Sequence, residues 1–457
     1  MNDSTIPQTV LFPDLADRSL VVTFDQPHAS SDGGAILLKA ADRRLGLLPA
    51  LAAPMPDSRD PAKVLHTLPD LVAQRVFAIA CGHPDGNDGD ALAEDPIHKV
   101  LLGRDPIDGA RLASQPTISR FEHGVSPRTL YRMGEALANA VIARHHRRKR
   151  RARLVTIDID VTADPTHGAQ QLTFFSGFYD TWCYLPLVAT LTFDDEPRQY
   201  LVAALLRPGN VPATTGVQGV LYRLIPKLWR AFPKARLRVR LDGGFAAPEI
   251  FGALEAAGVE YVVAMASNAV LDTAAETHVI PLRAQVTATH ETATTYHETQ
   301  YQARTWPHAR RVVIKAEVVW HHGREPRDNP RFVVTNLHQT PEWIYTHVYC
   351  ARGDSENRLK ELHHALAFGR TSCTRFWANQ LRVTLTAAAY VLLQELQLCA
   401  DRTALAGAQV ARLRSALITI GVHVVRSVRR IVLHGPLSHP DQHAWIRVAR
   451  SLGADVT

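Results

Sequence analysis

The stretch Thr156-Ile157-Asp158-Ile159-Asp160-Val161-Thr162 places two carboxylates two residues apart in an apolar run. Side chains alternate along a strand, so Asp158 and Asp160 share one face and Ile157, Ile159 and Val161 the other. Carboxylates in that setting are costly unless they are solvated, paired or bound to a cation. A third carboxylate, Asp242, closes the apolar segment RLRVRLD and precedes Gly243, Gly244 and Phe245. Strand ends in open α/β sheets are where ligands bind, although Asp-Gly-Gly is also a common turn. Farther on, Tyr349, Arg352 and Glu356 stand at helical offsets of 3, 4 and 7 and share one predicted helix face. A plain Arg352–Glu356 surface ion pair is the simplest use of that spacing.

Two strand aspartates and a later helical glutamate can converge on one point. Hard oxygen ligands without cysteine favour Mg²⁺ or Mn²⁺ over zinc. Two such ions, about 3.5–4 Å apart, activate a water or a 3′-hydroxyl and stabilise the leaving oxygen of a phosphodiester. Asp158 or Asp160, with Asp242 and Glu356, are then the candidate ligands, and Tyr349 and Arg352 would contact phosphate near the scissile bond.

Those residues need a scaffold. LVTIDIDVT reads as a buried strand, and YLPLVATLTF (184–193) and RQYLVAALL (198–206) as two more. A helix at about 214–232, the strand RLRVRLD, a helix at 247–257 and the strand EYVVAMA (260–266) follow. This is the element order of a mixed α/β layer. Residues 267–340 read as β-rich and antiparallel, with FVVTNL (332–337) returning to the core. From Ile344 to about Ala400 the pattern is helical, and the apolar density of ANQLRVTLTAAAYVLLQELQL predicts burial. The expected divisions are 1–150, mainly helical; 151–266 and 341–400, two parts of one α/β core; 267–340, a β-rich insertion; and 401–457, a C-terminal region.

In the first division SLVVTFD (19–25) reads as a strand and 34–52 as helical. GHPDGNDGD (82–90) lacks the Glu an EF-hand requires and reads as turn chemistry. SQPTISRFEHG (114–124), with Ser114 or Thr117 near a helix start, is a candidate DNA-reading helix. The run RHHRRKRRAR (144–153) directly precedes the first aspartate strand, which gives Arg147, Arg148, Arg150 and Arg151 a phosphate-contacting role; a solvated linker is the plainer reading. The pairs His145-His146, His321-His322 and His363-His364 lack a completing ligand pattern and read as surface or phosphate-facing residues.

At 457 residues the chain is long enough for two or three domains. The formal net charge is +7, and only eight of the 51 basic residues are lysine. An arginine-rich surface suits phosphate and guanine edges, although a GC-rich genome produces the same bias. The five scattered cysteines support neither a disulfide framework nor a zinc site, and the reading is a protein of the reducing cytoplasm. Neither a signal peptide nor an apolar stretch of membrane-spanning length is evident.

The motifs D-x-T at Asp160–Thr162, D-G-G-F at Asp242–Phe245 and Y-x2-R-x3-E at Tyr349–Glu356 together resemble the DDE transposases of bacterial insertion sequences. DPTHGAQ (164–170), LLRPGN (205–210), ENRLKEL (356–362) and FWANQLR (376–382) resemble the same group. The resemblance implies an RNase H-like catalytic core with the β-rich insertion between Asp242 and Glu356. It implies cut-and-paste chemistry on double-stranded DNA, both terminal inverted repeats and target, by a homodimer in a synaptic complex within the bacterial nucleoid. Asp160 is chosen over Asp158 because Thr162 completes D-x-T; Asp158 is then an alternate or supporting metal ligand. The group often carries Lys seven positions after the Glu. Here His363 stands there, and Lys360 is the nearest substitute on that face. In similar transposases an aromatic residue of the insertion holds a flipped base, a role for which Trp320 or Trp306 is available. A nuclease without strand transfer, and a DNA-binding descendant that has lost its chemistry, are the competing readings.

Overall fold

The computed structural model describes residues 10–13, 15–149 and 151–455. A nine-stranded mixed sheet runs through its centre. The strand order is Ala293–Tyr301, Arg310–Val319, Arg331–Thr335, Glu260–Met265, Arg236–Leu241, Leu154–Val161, Leu187–Phe193 and Tyr200–Leu205, with Arg327–Asp328 added beside Arg310–Val319. Leu154–Val161, Leu187–Phe193 and Tyr200–Leu205 form an antiparallel meander. Arg236–Leu241 and Glu260–Met265 then run parallel to Leu154–Val161. Helices Val217–Ala231 and Pro248–Ala256 make the crossovers that parallel pairing requires. The element order is the one expected for a mixed α/β layer.

The expectation for 267–340 holds only from Ala293 onward. Ala269–Thr289 is a helix of 21 residues, begun where the Asn268 side chain accepts from the amides of Val270 and Leu271. Its threonines and Pro281 disguise it, because β-branched residues and proline lower helix propensity. Thr273, Thr287 and Thr289 instead donate their hydroxyls to carbonyls four residues back. The buried residues Leu271, Ala275, Val279, Leu282 and Val286 keep a helical spacing that marks the segment. The strands that follow continue the main sheet, because Arg331–Thr335 pairs with Glu260–Met265.

Helix Phe376–Cys399 is buried along nearly its whole length, as its apolar density predicts. It also closes one edge of the sheet. The Gln380 and Gln394 side chains accept from the amides of Leu206 and Leu201 and donate to the carbonyls of Ala204 and Gln199. The edge backbone is thereby satisfied without another strand. Against this helix pack Leu68–Cys81, which starts with a Thr67/Asp70 capping box, and the long helix Pro127–Arg148. Arg75 and Arg382 both donate to the fully buried Glu122, which ties the N-terminal helices to the core. Ala29–Ser30, Val422–Arg426 and Ile431–His434 form a separate small sheet joining the two ends of the chain.

The face of Leu154–Val161 that carries Asp158 is covered as well as the apolar face. Asp158 accepts from Arg240 Nε and Nη2, each at 2.7 Å, and from Gln199 Nε2 at 3.0 Å. Arg240 Nη1 continues to the Val348 carbonyl at 3.1 Å. Removing one member of a buried pair leaves the other charge uncompensated, at a cost of about 3–5 kcal/mol. Arg240→Met is therefore expected to lower the midpoint of thermal unfolding sharply at neutral pH, and Asp158→Asn in the same chain to recover part of the loss. A midpoint for Arg240→Met equal to wild type would show the pair to be dispensable for folding.

Candidate active site

Sheet register brings two of the expected carboxylates together. Arg236–Leu241 pairs with Leu154–Val161 so that Arg240 lies level with Asp158. Two residues on, Asp242 emerges beside Asp160, at the ends of neighbouring strands about 4.8 Å apart. Asp242 begins a tight turn, its Oδ1 accepting from the Gly244 amide at 2.9 Å. Its Oδ2 lies 3.5 Å from Arg352 Nη2, and that same nitrogen lies 2.9 Å from Asp160 Oδ2. One guanidinium thus bridges both aspartates, marking a point where paired carboxylates accept a cation.

Asp158 lies outside this meeting point. Both its oxygens are engaged by Arg240 and Gln199, so it is an anchor beneath the site rather than an available metal ligand.

The segment bearing Tyr349, Arg352 and Glu356 is helical but irregular. A wide π-type turn covers Ile344–Tyr349, a tight 3₁₀ turn Cys350–Arg352 and an α-helix Gly353–Lys360. The tight turn alters the phase between Tyr349 and Arg352, whereas Arg352 and Glu356 keep α-helical spacing and differ in the partners their side chains take. Tyr349 packs on Tyr345 in the cluster with Ile344 and Val348. Arg352 points to the aspartates with its side chain 18% exposed, whereas Glu356 is 70% exposed and pairs with Lys360 at 2.9 Å. The expected Arg352–Glu356 pair is replaced by these two contacts. Lys360 holds the Glu356 carboxyl below its usual range, and Arg352 adds a smaller pull in the same direction. Glu356 is within electrostatic reach of the bridge without belonging to it.

His363 differs from a phosphate contact. Its Nε2 lies 3.1 Å from Thr162 Oγ1, and burial lowers its pKa, which keeps the ring neutral at pH 7. The residue in the place of the usual Lys therefore ties its helix to the D-x-T threonine. His145 is also no surface residue. It stacks on Phe193 at 4.5 Å, and burial lowers its pKa to about 3.

The basic run is divided. Arg148 and Lys149 pair with Glu196, and Lys149 also with Asp194. Arg147 and Arg151 are exposed, and Arg150 lies outside the described residues. Gln115–His123 is a helix whose inner face, Ile118, Phe121 and Glu122, docks into the core. Its Thr117 and Arg120 line an open cavity with Arg59, Lys63, Arg104 and Arg111. Trp306 is buried against Phe251 and Tyr301, which removes it from any base-binding role. Trp320 is half-buried beside His290.

Two features escaped sequence reasoning. Among the described residues, Asp32, His83 and His98 are grouped closely enough to hold an ion. Asp32 Oδ2 already engages both imidazole Nε2 atoms, at 3.0 and 2.9 Å, and these contacts help lower its pKa to about 2 against the opposing effect of burial. This cluster belongs to the N-terminal region and shares no residue with the strand-end aspartates. The second feature is Asp164, fully buried in DPTHGAQ, with Thr371 Oγ1 donating to Oδ2 at 2.7 Å and Oδ1 unpartnered. Gly369 is required beside it, because a Cβ there would come within 2.7 Å of Oδ1. Tertiary packing alone distinguishes this carboxylate.

The chain matches the family described as transposase DDE domain, group 1, over residues 12–455, and belongs to it. It is a transposase, of the class of enzymes that cut and rejoin DNA. No curated protein matches it. Among solved structures, the piggyBac transposase in a cryo-EM synaptic complex with hairpin DNA matches with a TM-score of 0.40 and 10% identity, over 79% of this chain and 74% of that one.

Burial raises the Asp164 pKa from 3.8 to about 7. A raised carboxyl contributes stability that is fully present below its unfolded value and is lost as pH rises through the folded one. The thermal midpoint of wild type relative to Asp164→Asn is expected to fall between pH 4 and about 7 and to level off above. A difference independent of pH would mean that Asp164 ionises freely in the fold.

Proposed function

We propose that the chain is the transposase of a bacterial insertion sequence, acting on chromosomal DNA in the nucleoid. It binds the terminal inverted repeats of its element as a homodimer, cleaves at the ends and transfers the strands to target DNA. The observation carrying this reading is the pair of strand-end aspartates, Asp160 and Asp242, drawn to one cation by Arg352. The antiparallel meander followed by two parallel strands supports an RNase H-like core.

Asp160 and Asp242 fit a hard divalent cation, offering oxygen ligands at a point already attractive to positive charge. Glu356, exposed and paired with Lys360, would supply the third carboxylate. Asp160, Asp242 and Glu356 would hold two Mg²⁺ or Mn²⁺ ions, which would supply activation of a water or 3′-hydroxyl and charge neutralisation at the leaving oxygen. With the carboxylates committed to metal, Arg352 would be available to a phosphate oxygen, for which its planar fork is suited. Tyr349, packed on Tyr345, holds the Arg352 turn against the sheet. Asp158 and Arg240 keep both strand ends in register beneath the site.

Asp160→Ala, Asp242→Ala and Glu356→Ala are each expected to abolish Mg²⁺-dependent cleavage of DNA carrying the gene's flanking ends, with end-binding retained. Wild-type cleavage by any one of them would remove that residue from the catalytic set. Binding by wild type without cleavage in Mg²⁺ or Mn²⁺ would favour a DNA-binding descendant instead.

Arg352→Ala separates two effects. Loss of the competing guanidinium is expected to tighten Mn²⁺ binding, read by isothermal titration, by about tenfold, while cleavage falls. Unchanged Mn²⁺ affinity would show that Arg352 does not occupy the cation point.

A further inference from the structure

Between the first aspartate strand and the next strand of the sheet, the chain makes a small separate sheet of Asp164–Pro165, Phe174–Ser176 and Thr181–Tyr184. Its hairpin carries Phe174, Phe175, Phe178, Tyr179 and Trp182. These are five of the twelve exposed large aromatic side chains among the described residues, gathered within nine positions. Phe178, at the tip, is 89% exposed. Such clustering is costly in water unless a partner covers it.

The hairpin is firmly seated although its rings are bare. The Tyr184 hydroxyl donates to the Gln171 carbonyl at 2.7 Å, and the Gln171 amide to Thr374 at 2.9 Å. Gly209 of LLRPGN lies against its backbone so closely that a Cβ would meet the carbonyls of Cys183 and Phe174 at 2.0 and 2.6 Å. Phe175 and Trp182 are direct cross-strand partners, their rings edge-on at 6.3 Å. The rings are presented on a supported surface, so little ordering entropy opposes their use.

The position of the hairpin identifies its occupant. It leaves the sheet at the end of the strand that carries Asp160, where the Thr162 amide donates to the Pro186 carbonyl at 3.1 Å and Asp164 pairs with Tyr184. Exposed rings at the end of the strand that carries Asp160 match what an unpaired nucleic-acid strand requires, π-faces on which bases stack.

We infer that the hairpin Phe174–Tyr184 is a stacking platform for unpaired bases of the DNA strand adjoining the scissile phosphate, with Phe178 and Trp182 as its principal rings. This rests on the proposed DNA-cleaving function, and it assigns base-holding to the segment after Asp160 rather than to the insertion carrying Trp320.

The test compares full-length wild type, Phe178→Ala, Trp182→Ala and Phe178→Trp on a blunt DNA duplex and on the same duplex with a short single-stranded tail containing 2-aminopurine, in Ca²⁺. Wild type is expected to prefer the tailed duplex by about tenfold and to quench 2-aminopurine. Each alanine variant is expected to lose the preference and the quenching with an unchanged thermal midpoint, and Phe178→Trp to retain both. Equal preference and quenching in wild type and the alanine variants, or no tail preference in wild type, would overturn the platform. Loss of self-association in the alanine variants, with tail binding intact, would overturn it in favour of a protein interface. Cleavage assays on the same proteins keep the two ideas apart. Tail binding without cleavage by wild type leaves the platform standing and removes the catalytic reading. Cleavage with ring-independent tail binding does the reverse.

Discussion

The ion pair between Asp158 and Arg240 is the interaction on which the site depends. It is buried, joins neighbouring parallel strands at matched register, and reaches through Arg240 to the backbone of the segment that carries Arg352. A strand pair could otherwise slip, and a slip of one residue would turn Asp160 to the other face. A charged pair that is satisfied only in one register penalises that slip. This is a specificity role for a buried ion pair, and it places Asp160, Asp242 and Arg352 together as one consequence.

Around that anchor the carboxylates divide by environment. Asp158 is paired in the interior, Asp160 and Asp242 share a guanidinium at the strand ends, and Glu356 lies on an exposed turn with Lys360. Asp164, a short distance along the chain, is enclosed without a cation and retains its proton to about pH 7. The acidic residues nearest the site thus range from neutralised to held in readiness, and burial together with the nearest cation accounts for each.

Much of the scaffold was legible because strands buried on both faces leave apolar runs that sequence can display. The element order from Leu154 to Met265 and the buried helix Phe376–Cys399 follow directly from such runs. Ala269–Thr289 was not legible as a helix, because its threonines satisfy their hydroxyls within the helix and mask the buried spacing. The hairpin Phe174–Tyr184 was also missed. Its aromatic residues suggest core, yet they are exposed, and hydrophobicity alone cannot report which side of a hairpin remains uncovered.

By itself the sequence determined which residue types were available: acids at strand ends, an Arg and a Glu four residues apart, and the motifs that mark the family. Tertiary structure decided which of them meet. Asp242 comes beside Asp160 through strand register across 82 residues of chain, a long-range pairing invisible to local spacing. Arg352 turns inward and Glu356 outward because their side chains take different partners, Asp160 and Asp242 for one and Lys360 for the other, which spacing alone cannot anticipate. His363 reaches Thr162 rather than solvent because its helical turn packs beside the end of the Leu154–Val161 strand. Local periodicity is written in neighbouring residues, whereas convergence depends on how distant elements pack, and that is settled only when the core closes.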